Sequence, residues 1–356
     1  MKKLTPIIKY CLTPLVFLAG FASAYAQDLH FSQFFEAPLL RNPALAGIFT
    51  GDYRFQGVYR DQWNSFTNAY KTGSFNAEYK LPVGRTDDYL TIGLEVLYDK
   101  AGSAGLTSTQ VFPALNYSKS LSNTHSSYLS LGFMGGYVEK RIDLSKITTN
   151  SQFDGAAFNP SLGSGETFPS PDIHYWDASV GMSYNGTFGE FQQNSLFFGL
   201  AYHHLNRPMN SFYQNTAVEL QPKWVVSGGA RFNVDERSEF TIQADYSYQG
   251  TARELIGGVM YGYKLGEFTD DPKYVLGIGA FMRVGDAFIP VVKLDMLPLS
   301  IAISYDVNIS TLNTVSQGQG GFELSILENL SDSPNFQPKP DKNEKSFFDK
   351  VKEMFS

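Results

Sequence analysis

The residues that could do chemistry in this sequence are few and scattered. His203-His204 offers two adjacent imidazoles, a possible metal pair. Neighbouring strand residues point to opposite faces, so only one ring reaches a given site. No carboxylate or further histidine stands at ligand spacing nearby, and the plainer reading is a polar, interfacial strand end. A barrel lipase needs a serine, a histidine and a third orienting group. The five histidines fall in no such pattern, although a triad assembled in space leaves no trace in sequence. Asp235-Glu236-Arg237 reads as a tight charged turn. Gly228-Gly229 and Gly257-Gly258 lack the strand-to-helix context of a phosphate loop and read as points where strands bend. Glu78, Glu95, Arg231, Asp245, Arg283, Lys293 and Asp295 remain. They suit a structural network, or the tuning of ion passage, better than catalysis. The expectation is a non-enzymatic protein without metal or cofactor.

The elements that position these residues begin with export. Lys2, Lys3 and Lys9 precede an apolar core from Cys11 to Ala22, and Ala24-Tyr25-Ala26 is a small-x-small cleavage site. Residues 1–26 read as a secretory signal. The single cysteine leaves with it, excluding disulfides and thiolate metal sites from the mature chain. Three of the 28 basic residues and none of the 35 acidic ones leave too, taking the net charge from −7 to −10. Such a chain is a poor nucleic-acid binder, because phosphate contacts need Lys and Arg.

The body alternates with a period of two. Leu90, Ile92, Leu94, Val96 and Tyr98 face one way; Thr91, Gly93 and Glu95 face the other. Phe240 to Gln249 and Leu299 to Asn308 repeat the pattern. Fourteen such segments follow: 51–59, 71–81, 89–99, 107–119, 126–138, 173–186, 194–204, 221–234, 238–249, 252–264, 273–284, 287–296, 298–308 and 319–328. Strands of about ten residues, aromatics near strand ends and charges on the polar face predict an all-β, antiparallel transmembrane barrel over 51–328 rather than a soluble sandwich. The even count predicts both termini on the periplasmic side of an outer membrane, with long connections at Arg60–Tyr70, Glu139–Asp172, Leu205–Leu220 and Ile309–Gly318 outside. Pro113 and Pro290 interrupt strands and predict bulges or edges.

Two segments lie outside the alternation. Residues 27–50 hold four aromatics and three leucines yet are broken by Pro38 and Pro43, predicting a buried irregular plug or a periplasmic platform. Residues 329–342 form a Pro-rich linker. Residues 343–356 place Phe347, Phe348, Val351, Met354 and Phe355 at helical spacing, predicting a short amphipathic periplasmic helix that needs a covering partner. Arg60 and Asp61 read as a local ion pair.

The run Phe31-Ser32-Gln33-Phe34, then Pro38-Leu39, Asn42-Pro43-Ala44 and Ala46-Gly47, followed by Tyr59-Arg60-Asp61-Gln62-Trp63, resembles the PorP/SprF family. Those are outer-membrane proteins of the type IX secretion system in Bacteroidetes. Tyr305-Asp306-Val307-Asn308 and Gly320-Gly321-Phe322-Glu323-Leu324 add a second match, and the likeness spans roughly Gln27 to Leu327. Asp61 stands where the family favours Asn. The resemblance implies a fourteen-stranded barrel that receives or anchors secreted surface proteins carrying a type IX C-terminal signal, often adhesins of gliding or attachment. It also implies a periplasmic OmpA-like peptidoglycan-binding partner and contact with outer-membrane lipid. Phe31, Ser32, Gln33, Pro38, Asn42, Pro43, Ala44, Gly47, Arg60, Gln62, Trp63, Asp306 and Asn308 are the motif positions it marks as partner candidates. The rival reading is a plugged channel for hydrophobic solutes.

Overall fold

The computed structural model describes residues 28–62, 70–84, 87–122, 125–189, 192–266, 272–311 and 313–331. The signal, Trp63 and the tail segment with Phe347, Phe348, Val351, Met354 and Phe355 lie outside the described residues.

Period-two alternation folds into one closed antiparallel sheet of fourteen strands. They are β1 (Tyr53–Gln62), β2 (Tyr70–Pro82), β3 (Tyr89–Ala101), β4 (Leu106–Ser120), β5 (Ser127–Arg141), β6 (Asp172–Phe188) and β7 (Asn194–His203), then β8 (Lys223–Asn233), β9 (Ser238–Gln249), β10 (Ala252–Leu265), β11 (Tyr274–Arg283), β12 (Ala287–Met296), β13 (Leu299–Asn308) and β14 (Gln319–Leu330). Each strand pairs with its sequence neighbours, and β14 closes on β1 with Tyr53 opposite Leu330. The apolar face is the outer one. In β3, Ile92 and Tyr98 are each 48% exposed, whereas Thr91 and Glu95 on the inner face are 0%. A soluble sandwich would reverse this. Exposed aromatics ring both ends: Tyr59, Tyr98, Tyr137, Trp176, Trp224 and Tyr305 at one, Tyr117, Tyr184, Phe240 and Tyr263 at the other.

The connections divide as expected. Those spanning 142–171, 204–222 and 309–318 all leave one end, here the long-loop end; the other end carries short turns such as 234–237. The prolines do not behave as expected. Register is unbroken across Pro113, with Val111 opposite Tyr137 and Ala114 opposite Met134. It is equally unbroken across Pro290, with Phe288 opposite Val307 and Val291 opposite Ser304. Both prolines point outward and the ladder merely skips them. The irregularity lies elsewhere, between Tyr305 and Val307 on the β14 side. There Gly320 lies so close to Asp306 that an added Cβ would sit 2.2 Å from its carbonyl oxygen. Strand β1 also continues to Gln62, so Arg60 and Gln62 are strand residues and do not open a loop.

Residues 28–50 fill the lumen as a plug, deciding between plug and platform. A 3-10 turn at Phe34–Glu36 leads to one helical turn, α1 (Pro38–Arg41), then a second 3-10 turn at Pro43–Leu45. Pro38 and Pro43 each take the first position of their turn, where no donor is lost. Asn42 caps the second turn, accepting from the Ala44 amide at 2.8 Å. The wall answers what the turns leave open. Asn116 donates to the Ala46 carbonyl (2.6 Å) and Ser183 to the Ala44 carbonyl (2.7 Å). Leu39 and Ala46 pack on Phe112, Met134 and Val138, while Phe34 packs on Ile256, Phe281 and Ile289.

The plug runs the length of the barrel. Asp28 sits beside His204 and Gln249 at the long-loop end, and Gly51 reaches the carbonyl of Leu330 at the short-turn end. The described chain thus enters at one end and leaves at the other, which two termini on one side did not anticipate.

Three glycines let Asn42-Pro43-Ala44 lie flush on the wall. A Cβ on Gly132 of β5 would sit 2.4 Å from the Ala44 nitrogen; on Gly181 of β6, 1.8 Å from Asn42 Oδ1; on Gly199 of β7, 2.8 Å from Asn42 Nδ2. Gly258 similarly makes room for Phe281, and Gly229 for the Phe197 ring, so those pairs accommodate side chains rather than bends. Gly181→Ala is expected to unseat the motif and destabilise the barrel by about 1–3 kcal/mol, lowering the temperature at which its gel mobility converts to the unfolded form. Gly73→Ala, whose Cβ meets nothing within 4 Å, should leave that temperature nearly unchanged.

Candidate functional site

The motif residues from the two ends of the sequence meet in the lumen near the long-loop end. Glu323 of β14 accepts the backbone N–H of Ser32 at 2.6 Å and of Gln33 at 2.7 Å. Gln33 adds Nε2 bonds to Ser304 (3.0 Å) and to the Glu323 carbonyl (3.1 Å), and accepts from Ser325 at 2.7 Å. Ser32 Oγ donates to Asp306 at 2.7 Å and accepts from Arg283. Arg60 reaches Asp306 (3.1 Å), Glu323 (3.3 Å) and the His30 carbonyl (2.7 Å). Arg60 therefore pairs across the lumen and not with Asp61, because strand alternation sends the two side chains to different faces. Asp61 instead lies 4.0 Å from Lys71.

The other marked positions divide between plug, wall and loop. Phe31 packs against Val58 and Leu97. Pro38, Asn42, Pro43 and Ala44 form the turns in the glycine cradle. Gly47, at φ +82°, donates its amide to Glu78 at 2.7 Å; a Cβ there would sit 2.2 Å from Thr91 Oγ1. Asn308 holds the 309–318 connection, donating to Ser316 and accepting from the Ser310 amide. Gln62 lies at the β1 end between Tyr70 and Gly321, outside the lumenal cluster.

The lumenal charges do form a network, and its centre is the plug. Arg41 grips Asp245 with Nε and Nη2 at 2.6 and 2.5 Å, a bidentate pair. Lys293 holds Glu36 at 2.9 Å and lies 3.6 Å from Asp295. Glu78 pairs with Arg54, and Arg283 with Asp306 and Asp286. Glu95 takes its bonds from Ser74 and Asn76, while Arg231 remains exposed. Sequence reasoning passed over Arg41, Arg283 and Glu323 as site residues. Their one local signal was a charge within an otherwise apolar or alternating stretch.

His203 and His204 differ from expectation. His204 has φ +59°, a left-handed turn that cancels strand alternation and brings both rings inside, 6.4 Å apart. Two carboxylates from distant segments bracket His204: Asp177 on Nδ1 at 2.6 Å and Asp28 on Nε2 at 2.7 Å. Burial opposes the charged ring, but the two carboxylates outweigh it and hold the pKa up to about 9. Asp28 is held well below the usual carboxylate range, burial being outweighed by His204 and Lys223. His203 contacts Ser179 (3.0 Å) and the Arg41 carbonyl (3.2 Å), all buried behind the plug. Among the described residues no group of three His, Cys, Asp or Glu is placed to hold a metal ion.

Above the barrel the two longest connections lean together. Ser170 N–H donates to the Phe212 carbonyl at 3.4 Å, Lys140 to Asn210 at 3.1 Å, and Phe168 lies 5.1 Å from Tyr213, ring to ring. Phe153 and Phe158 pair across a tight hairpin and stay 58% and 52% exposed.

Two measurements test this site. Arg41→Met strands Asp245 in the lumen and is expected to cost about 3–5 kcal/mol; adding Asp245→Leu should recover most of the loss, read by denaturant unfolding in detergent. The folded pKa of His204 is raised above its ordinary 6.5. Its stabilisation is therefore complete below that pH and lost as pH rises through about 9. Hydrogen exchange at the plug's outer end should accelerate across that window, and His204→Gln should remove the step.

Comparison with known proteins follows the same lines. The family model described as Type IX secretion system membrane protein PorP/SprF matches residues 23–327. No curated protein matches. Among solved structures, the chain is similar to the Ralstonia pickettii toluene transporter TbuX (8% identity, 83% of this chain and 94% of that one, TM-score 0.45). It is also similar to the CymD monoaromatic hydrocarbon channel (8% identity, 83% and 93%, TM-score 0.45). CdiB from Acinetobacter baumannii is a third (9% identity, 78% and 60%, TM-score 0.41).

Proposed function

We propose that this chain, which belongs to the PorP/SprF family of type IX secretion system membrane proteins, is a non-enzymatic outer-membrane anchor for a secreted surface protein and does not conduct solutes. The carrying observation is the filled lumen. Gln33, Asn42, Glu95, Asn116 and Glu323 are all 0% exposed, and the plug is bonded to the wall from end to end. A rigid, plugged barrel suits positioning; a transporter needs a path.

Spanning is supported by the apolar exterior and the two aromatic rings, the habit of outer-membrane barrels. Long loops outside and short turns inside put the joined 142–171 and 204–222 connections at the cell surface. There Phe153 and Phe158 would meet the client, a protein with a type IX C-terminal signal such as an adhesin. The short-turn end and the tail with Phe347, Phe348, Val351, Met354 and Phe355 would face a periplasmic OmpA-like peptidoglycan-binding protein.

In a planar bilayer the protein is expected to show no steady conductance, and none induced by an aromatic hydrocarbon. A pull-down in mild detergent should recover one large surface protein and one periplasmic peptidoglycan-binding protein; ending the chain at Leu330 should lose only the second. Solute-dependent conductance without either partner would replace the anchor with the hydrophobic-solute channel.

A further inference from the structure

At the long-loop end the plug and wall do not quite meet. A cavity of about 50 Å³ lies between residues 29–41 of the plug and β8 to β10, continuous through Lys223 and Glu254 with a smaller one of about 10 Å³ beside Asp28. Its floor is apolar: Phe34, Val225 and Ile256 are each at most 5% exposed. Elsewhere the lumen is tightly filled, and unfilled apolar space costs stability. The volume equals about three to five water-sized spheres, the size of one valine or leucine side chain.

The rim supplies two charges that the described residues leave loosely engaged. Lys223 makes one ion contact, to Asp28 at 3.7 Å, and no hydrogen bond; its side chain is 15% exposed. That same Asp28 oxygen is already held by His204 at 2.7 Å. Glu254 lies 3.5 Å from His30 and 3.9 Å from Arg283, with a side chain 16% exposed. An ammonium and a carboxylate thus flank the mouth of an aliphatic-sized hole.

We infer that this cleft binds an aliphatic α-amino acid carboxylate, with the carboxylate on Lys223, the α-nitrogen donating to Glu254 and the branched side chain between Phe34, Val225 and Ile256. The chemistry is shared by a free amino acid and by the last residue of a polypeptide, and the mouth opens where either would arrive from the long-loop side. The inference goes beyond the anchoring role and stands independently of it.

The full-length protein in detergent is titrated calorimetrically with leucine, N-acetyl-leucine and N-acetyl-leucinamide. Saturable binding of at least one of the acids, with the amide about tenfold weaker or worse, is expected. Preference for N-acetyl-leucine assigns the site to a chain terminus; preference for leucine assigns it to the free amino acid. Lys223→Gln should weaken binding about tenfold, and Val225→Phe, which fills the hole without altering charge, should abolish it. Both variants are checked for the compact gel mobility of the folded barrel. Equal binding of acid and amide, binding that survives Val225→Phe in a folded barrel, or no saturable signal from any probe at millimolar concentration overturns the site.

Discussion

A carboxylate taken out of water without a donor costs several kcal/mol, and this barrel buries many of them. Glu78, Asp245, Asp306 and Glu323 all point inward and are at most 6% exposed. Each finds its answer on the plug or on an arginine that also touches the plug. Glu78 takes the Gly47 amide and Arg54; Asp245 takes Arg41; Glu323 takes two plug amides and Arg60. Remove the plug and the wall is left with stranded charges. Remove the wall and a segment broken by two prolines has no partners for its backbone.

Steric fit closes what charge begins. The wall is thinned to glycine at Gly132, Gly181 and Gly199, where Asn42-Pro43-Ala44 lies, and aromatic packing around Phe281 fixes the upper plug. These contacts join residues 204 to 292 positions apart for Arg41–Asp245 and Gln33–Ser325. Contacts so distant in sequence are slow to form, and the plug can complete them only once β9 to β14 stand beside β1.

That architecture bears on function through stiffness. A lumen crossed by a bonded plug offers no solvent-filled passage, while the joined long loops stand clear of the outer apolar belt. His204 ties the plug's outer end to the root of the 204–222 connection, and Lys223 flanks its other foot. The loop a client would meet is thus footed on the same cluster that closes the lumen.

Strand number, phase and the sorting of long from short connections were legible in the sequence, because side-chain alternation is a local property and the loops announce themselves by breaking it. The motif residues at 31–47, 60 and 306 were legible as a set, yet not as a constellation. Nothing local says that Ser32 meets Asp306, or that Arg60 turns from its neighbour Asp61 to Glu323. The left-handed turn at His204, the harmless outward prolines and the end-to-end path of the plug were likewise decided in three dimensions. Pairing a buried charge is a matter of which segments a closed sheet brings within 3 Å, and closure is a property of the whole chain.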